Sequence, residues 1–71
     1  MIIELLSLST SYLDYQEKKS VYERFGVQEY FIVDPNTKSV DSFFLNNKEY
    51  EAQETTEGKI KSVILNAEIT F

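Results

Sequence analysis

One segment of this chain reads as a helix, and extended segments stand on both sides of it. Asp14 is an N-cap residue type, with Glu17 three positions on in the spacing of a capping box. Gly26 is the residue that most readily ends a helix in the left-handed conformation. Together they predict a helix over 15–25. Ahead of it, the short apolar run over 1–6 predicts a buried strand, with Ile2, Glu4 and Leu6 on one face and Ile3 and Leu5 on the other. Behind it, 28–34 carries a dense strand signal closed by the turn Asp34-Pro35-Asn36. Residues 38–45 predict a second strand with Val40, Ser42 and Phe44 on one face, and Asn46-Asn47 a hairpin turn. A polar strand over 49–55, a turn at Glu57-Gly58 and extended pieces over 59–65 and 68–71 complete the chain. A lone helix cannot build a bundle, so the expected class is α+β, one helix packed on a mostly antiparallel sheet.

At 71 residues the chain is one domain, 1–71. A chain of this size buries only about 60% of its unfolded surface. With no cysteine, it has neither a disulfide nor a thiolate metal site to reinforce it. With no histidine, imidazole catalysis and imidazole ligation are excluded. Five Phe and five Tyr supply the core surface that separates a folded domain from a disordered one. Burial and chain entropy nearly cancel at this length, which predicts help from a partner chain or a second copy. Twelve acids against seven bases, a net charge of −5, argue against a chain-wide electrostatic grip on nucleic acid. An acidic chain can still serve as a nuclease, because a cation offsets the carboxylates of a metal site. No apolar stretch approaches the about 18 residues of a membrane span. Met1-Ile2-Ile3-Glu4 has no basic leader, so no signal peptide is expected and the expected location is cytoplasmic.

Two charges stand in apolar settings. Glu4 interrupts Met1-Ile2-Ile3-Glu4-Leu5-Leu6. On a helical wheel of about 100° per residue with Tyr15 at zero, Val21, Phe25 and Tyr22 fall at about 240°, 280° and 340°, and Lys18 at about 300° between them. Lys19, at about 40°, falls on the edge of that stripe. Burying an unpaired charge is costly, so such residues are paired, wet or used. The bland readings are a Lys18 stem lying over apolar surface with its ammonium in water, a Glu4 carboxylate at a strand edge, or a simple salt bridge between them. The sharper reading is a strand carboxylate and a helix lysine sharing a phosphodiesterase site, where the lysine stabilises developing negative charge. Ser7, Ser9 and Thr10 lack an activating base and read as loop residues. Asp34 reads as a turn residue. Tyr22 and Tyr30 read as core rather than as base-stacking platforms, and Glu49, Glu51, Glu54 and Glu57 as a solvated face without calcium-loop spacing.

The run from Glu4 to Pro35 resembles a known family. Its marks are Glu4-Leu5-Leu6-Ser7-Leu8-Ser9-Thr10, then Asp14, Lys18, Tyr22, Gly26-Val27 and Glu29-Tyr30-Phe31-Ile32-Val33-Asp34-Pro35. Tyr50 and Gly58 suit its later strands. The pattern resembles a bacterial family of endonucleases, first catalogued as a domain of unknown function, within the restriction-endonuclease-like PD-(D/E)xK superfamily. The resemblance implies a partial nuclease core in which Glu4 is a catalytic and metal-binding carboxylate and Lys18 the catalytic lysine, with Mg²⁺ or Mn²⁺ as cofactor. Leu8 stands where that family usually has proline, and Phe31 where it usually has tryptophan; both are conservative for packing.

The family pattern also has an N-terminal half with a Pro-Asp motif that supplies a further metal ligand, and Glu4 here follows only three residues after Met1. The expectation is therefore a C-terminal half: a truncated, inactive or partner-dependent relative of metal-dependent DNA endonucleases. It would act as a homo-oligomer or with the missing N-terminal half, on DNA if on any nucleic acid. The alternative is a small non-catalytic interaction module that self-associates through exposed sheet edges.

Overall fold

Helix α1 spans Tyr12–Arg24 and is the single helix of a computed structural model that describes residues 1–7 and 12–71, the Tyr12 side chain excepted. The expected loop roles of Ser9 and Thr10 lie outside the described residues. The helix begins three residues earlier than Asp14 suggested, so Asp14 lies inside its first turn and is not its N-cap. A carboxylate there still faces the positive end of the helix dipole. The other end follows the sequence closely. Gly26 has φ +75°, its N–H bonds the Glu23 carbonyl at 3.1 Å, and the Val27 N–H bonds the Tyr22 carbonyl at 3.0 Å. These two bonds are the pair that closes a helix through a left-handed residue.

Seven strands follow or flank the helix. They are β1 (Ile2–Leu5), β2 (Glu29–Val33), β3 (Ser39–Asn46), β4 (Glu49–Ala52), β5 (Thr56–Glu57), β6 (Lys59–Ser62) and β7 (Ala67–Thr70). The main sheet has the order β1-β2-β3-β4, with β5 also paired to β3. Strand β1 runs parallel to β2, with Glu4 opposite Ile32, and the remaining pairs of this sheet are antiparallel. A helix between two parallel neighbours is the usual way of joining such strands. The fold is thus α+β, one helix packed on a mostly antiparallel sheet. The β3–β4 hairpin turns at Asn47-Lys48, both at positive φ (51° and 69°), one residue beyond the expected Asn46-Asn47. Positive φ at both central residues is the turn whose twist matches a hairpin. Asp34 makes the turn expected of it, its Oδ1 accepting from the N–H groups of Asn36 and Thr37.

The pleat sorts side chains onto two faces. Ile2, Glu4, Tyr30, Ile32 and Phe43 lie on the side of α1, where Tyr22 meets Tyr30 edge-on at 5.1 Å and the Lys19 ammonium lies 4.2 Å from the Phe43 ring centre. The β4 strand joins this layer through Tyr50, whose N–H bonds Glu23 Oε2 at 2.7 Å and whose hydroxyl bonds the Val27 carbonyl at 2.6 Å. Phe31, Val33, Val40 and Phe44 lie on the other face and pack with Ile60 of the β6–β7 hairpin, which forms its own two-stranded sheet. The protein therefore has three layers: helix, sheet and hairpin.

Two sequence expectations change. The run over 1–6 is not a buried strand: β1 ends the sheet, and Ile3 and Leu5 are exposed. The buried stripe of α1 is also rotated from the expected one. Tyr15, at 4% exposure, and Tyr22 and Lys19 face the sheet, whereas Val21 and Phe25 are exposed, Phe25 by 76%. Lys18 accordingly sits on the edge of the buried face and not in its middle. The sheet supplies aromatic rings and a carboxylate under the helix, and tyrosines satisfy both better than aliphatic residues do. Among the described residues no helix is long and apolar enough to cross a membrane.

The hairpin is fastened by a buried carboxylate. Glu29, 2% exposed on β2, accepts from the Ser62 hydroxyl at 2.6 Å, the Val63 N–H at 2.7 Å and the Ile64 N–H at 3.2 Å. Ser62 in turn accepts from the Leu65 N–H at 3.1 Å. Replacing one carboxylate oxygen by an amide N–H₂ leaves donors facing a donor, and a buried donor without an acceptor costs about 1–3 kcal/mol. Glu29→Gln should therefore lower the urea midpoint by an amount equivalent to about 1–3 kcal/mol with an unchanged slope, as read by circular dichroism.

Candidate functional site

Strand β1 and helix α1 bring Glu4 and Lys18 together. The Lys18 ammonium lies 3.3 Å from Glu4 Oε2, with the lysine side chain 45% and the glutamate side chain 20% exposed. The second carboxylate oxygen is also engaged: the Tyr22 hydroxyl donates to Glu4 Oε1 at 2.8 Å. Lys18 and Tyr22 are four residues apart, so one turn of the helix presents both to the strand. A sequence reading that placed Tyr22 in the core missed this contact. The signal available was the spacing itself, since a tyrosine four residues after a candidate lysine shares its face of the helix.

The surroundings of Glu4 are rich in phenols. Tyr15 donates its hydroxyl to the Leu5 carbonyl at 3.0 Å, and its ring lies 5.9 Å from the Lys18 ammonium. Because the Leu6 N–H bonds β2 at the Val33 carbonyl, the Leu5 groups point away from β2, and Tyr15 closes part of the open edge of β1. Tyr30 is fully buried beneath the helix, and its hydroxyl has no hydrogen-bond partner among the described residues.

These contacts shift protonation in one direction. The hydrogen bond to Glu4, aided by its charge, raises Lys18 above its ordinary value. The same carboxylate accepts from Tyr22 and, with burial, raises its phenol. Burial first, then the charge of Glu4, raises Tyr30; burial, then the charge of Glu23, pushes Tyr50 up to about 12. At neutral pH the site therefore holds a carboxylate flanked by an ammonium and by neutral phenols that stay donors.

A divalent cation is the test of what such a site can hold. Mg²⁺ takes about six oxygens in a near-octahedral shell, commonly one or two carboxylates with phosphate and water. Glu4 is a single carboxylate. Among the described residues no three His, Cys, Asp or Glu side chains gather closely enough to hold a metal ion, and 8–11 contain no acid. These residues alone do not fit a divalent cation. Glu49, Glu51, Glu54 and Glu57 are exposed, in keeping with a solvated face. A cavity of about 570 Å³ opens on the far side of the sheet, lined by Ser42, Phe44, Lys61, Ser62 and Glu68 among others, and neither Glu4 nor Lys18 borders it.

This arrangement of strand carboxylate, helix lysine and following β2 is spanned by one family's sequence profile. That profile, Uma2, described as "Putative restriction endonuclease", matches residues 1–70. The chain belongs to the Uma2 family. The match covers every strand of the fold and the whole Glu4–Lys18–Tyr22 cluster. None of the curated proteins matches the chain. Membership gives a restriction-endonuclease-like relationship, and divalent metals are the cofactors generally used by that group.

Two outcomes follow from the shifted protons. With Glu4→Gln, Tyr22 loses a charged acceptor, so the Tyr22 phenol should titrate lower, toward its ordinary 10.0, as followed by NMR of its ring carbon. Groups with raised values bind their protons more tightly folded than unfolded. The stability contributed by Tyr22, Tyr50 and Lys18 is thus fully present below their ordinary 10.0 and 10.5 and is lost as pH rises through the raised values. Thermal midpoints should be level near neutrality and fall between pH 10.0 and about 12, the value of Tyr50; a fall beginning near neutral pH would contradict this.

Proposed function

We propose that this chain is a partner-dependent member of a metal-dependent DNA endonuclease family, contributing the Glu4–Lys18 half of a phosphodiester-hydrolysing site. The observation that carries the reading is the convergence of those two side chains, at 3.3 Å, in a chain whose family is restriction-endonuclease-like. In the completed site Glu4 serves as one carboxylate ligand for Mg²⁺ or Mn²⁺. Lys18, half exposed, would offset the negative charge that builds on the phosphate. The remaining ligands come from outside this cluster, because Glu4 is the one carboxylate in it. That is the ground for partner dependence, through a further nuclease segment or a second copy. The net charge of −5 fits a chain that does not hold DNA alone.

A second reading has its own support. Ile3 and Leu5 on the end strand and Val21 and Phe25 on the helix are exposed apolar residues, which suits a non-catalytic module that pairs with another protein or with itself. Lys18→Ala separates the two. In a nicking assay on supercoiled plasmid with Mn²⁺ and N-terminal segments from other members of the family, the mixture should nick DNA where neither part does. Lys18→Ala should slow that nicking by about a hundredfold, the scale of losing one donor to developing charge. Nicking at an unchanged rate removes the role given to Lys18, and no nicking in any mixture favours the interaction module.

A further inference from the structure

We propose that Tyr22 is the positioning residue of this site, holding the Glu4 carboxylate in a fixed orientation, while Lys18 is the releasable member of the pair. The inference rests on the reading of Glu4 as the working carboxylate. Both residues reach Glu4 from the same side of α1, but they are anchored differently. The Tyr22 hydroxyl makes the shorter contact, 2.8 Å against 3.3 Å. Its ring is half buried and packed edge-on against Tyr30, which is itself fully buried and stacked near Phe43 and Tyr50. A tyrosine has two rotatable side-chain bonds, and this one has its ring wedged between helix and sheet, so the hydroxyl is delivered to Oε1 at little cost in freedom.

Lys18 has four rotatable bonds and a side chain 45% exposed, and its ammonium sits 3.3 Å from Glu4 Oε2 and at the same time 5.9 Å from the centre of the Tyr15 ring. Cation and ring attract at such distances, but neither contact fixes a long stem that reaches into solvent, and holding it in one geometry costs more side-chain freedom than holding a tyrosine. The consequence is a division of labour. Oε1 stays bound to Tyr22, and Oε2, on the exposed side, is the oxygen that becomes available when Lys18 turns to another anion.

The test needs neither metal nor DNA. In the labelled chain, relaxation at the Glu4 side-chain carbons should report an ordered carboxylate. Tyr22→Phe should drop its order parameter into the flexible range, below about 0.6, and Lys18→Met should leave it as in the unchanged chain. A Glu4 that stays ordered in Tyr22→Phe, or that loosens equally in Lys18→Met, overturns the proposal. If Tyr22→Phe does not fold, Lys18→Met still decides. In that variant a Glu4 carboxylate that keeps its order supports the assignment, and one that loosens overturns it. The nuclease reading fails by a separate result, absent Mn²⁺-dependent nicking in the mixtures with N-terminal segments although Glu4 remains ordered by Tyr22.

Discussion

A carboxylate on the end strand of a small sheet, bonded on both oxygens by one helix, joins the two elements that matter most for the site. Strand β1 has a neighbour on one side only and exposes alternate apolar residues. What ties it to the helix is polar: Glu4 to Tyr22 and Lys18, and the Leu5 carbonyl to Tyr15. A surface ion pair contributes little by itself. Here it belongs to a network with two phenolic hydrogen bonds and a packed aromatic layer, and such networks hold geometry better than isolated pairs.

The chain uses two enclosed carboxylates in opposite ways. Glu29 and Glu4 lie on adjacent strands and opposite faces. Glu29 is fully buried, and its acceptors meet two backbone N–H groups and a hydroxyl that is itself bonded to the turn. None of these donors can leave without opening the β6–β7 turn. Glu4 is partly exposed, and its carboxylate is held by two side chains, one of them a half-exposed lysine. Fixed donors make a carboxylate a fastening, and movable donors leave it able to exchange partners. That difference, as much as depth of burial, separates the acid that fastens the hairpin from the acid whose partners are side chains.

Membership of a restriction-endonuclease-like family and a single carboxylate at the site fit together if the site is shared. Ile3 and Leu5, on the face of the strand away from Glu4, and Val21 and Phe25 on the helix are exposed apolar residues.

Much of this was legible in the sequence. Gly26 ended the helix, Asp34 made its turn, the alternation of β1 and β3 assigned their faces, and Glu4 and Lys18 stood out as charges in apolar company. These are local properties, set by backbone sterics and by periods of 2.0 and 3.6 residues. The rotation of the helix was not legible, because an even spread of apolar residues around α1 leaves its docking face to be decided by what the sheet presents. That sheet presented Tyr30, Phe43 and Glu4, and so selected Tyr15, Lys19 and Tyr22 over Val21 and Phe25. The fastening of Glu29 to Ser62 joins residues 33 apart along the chain, and the Tyr22 bond to Glu4 joins residues 18 apart. Sequence alone determined the helix, the main strands and which charges are out of place, although the strand expected over 59–65 ends at Ser62, the one expected over 49–55 ends at Ala52, and Glu57 lies in β5 and not in a turn. Tertiary structure alone decided which partners those charges meet, since contacts between distant residues depend on how whole elements pack.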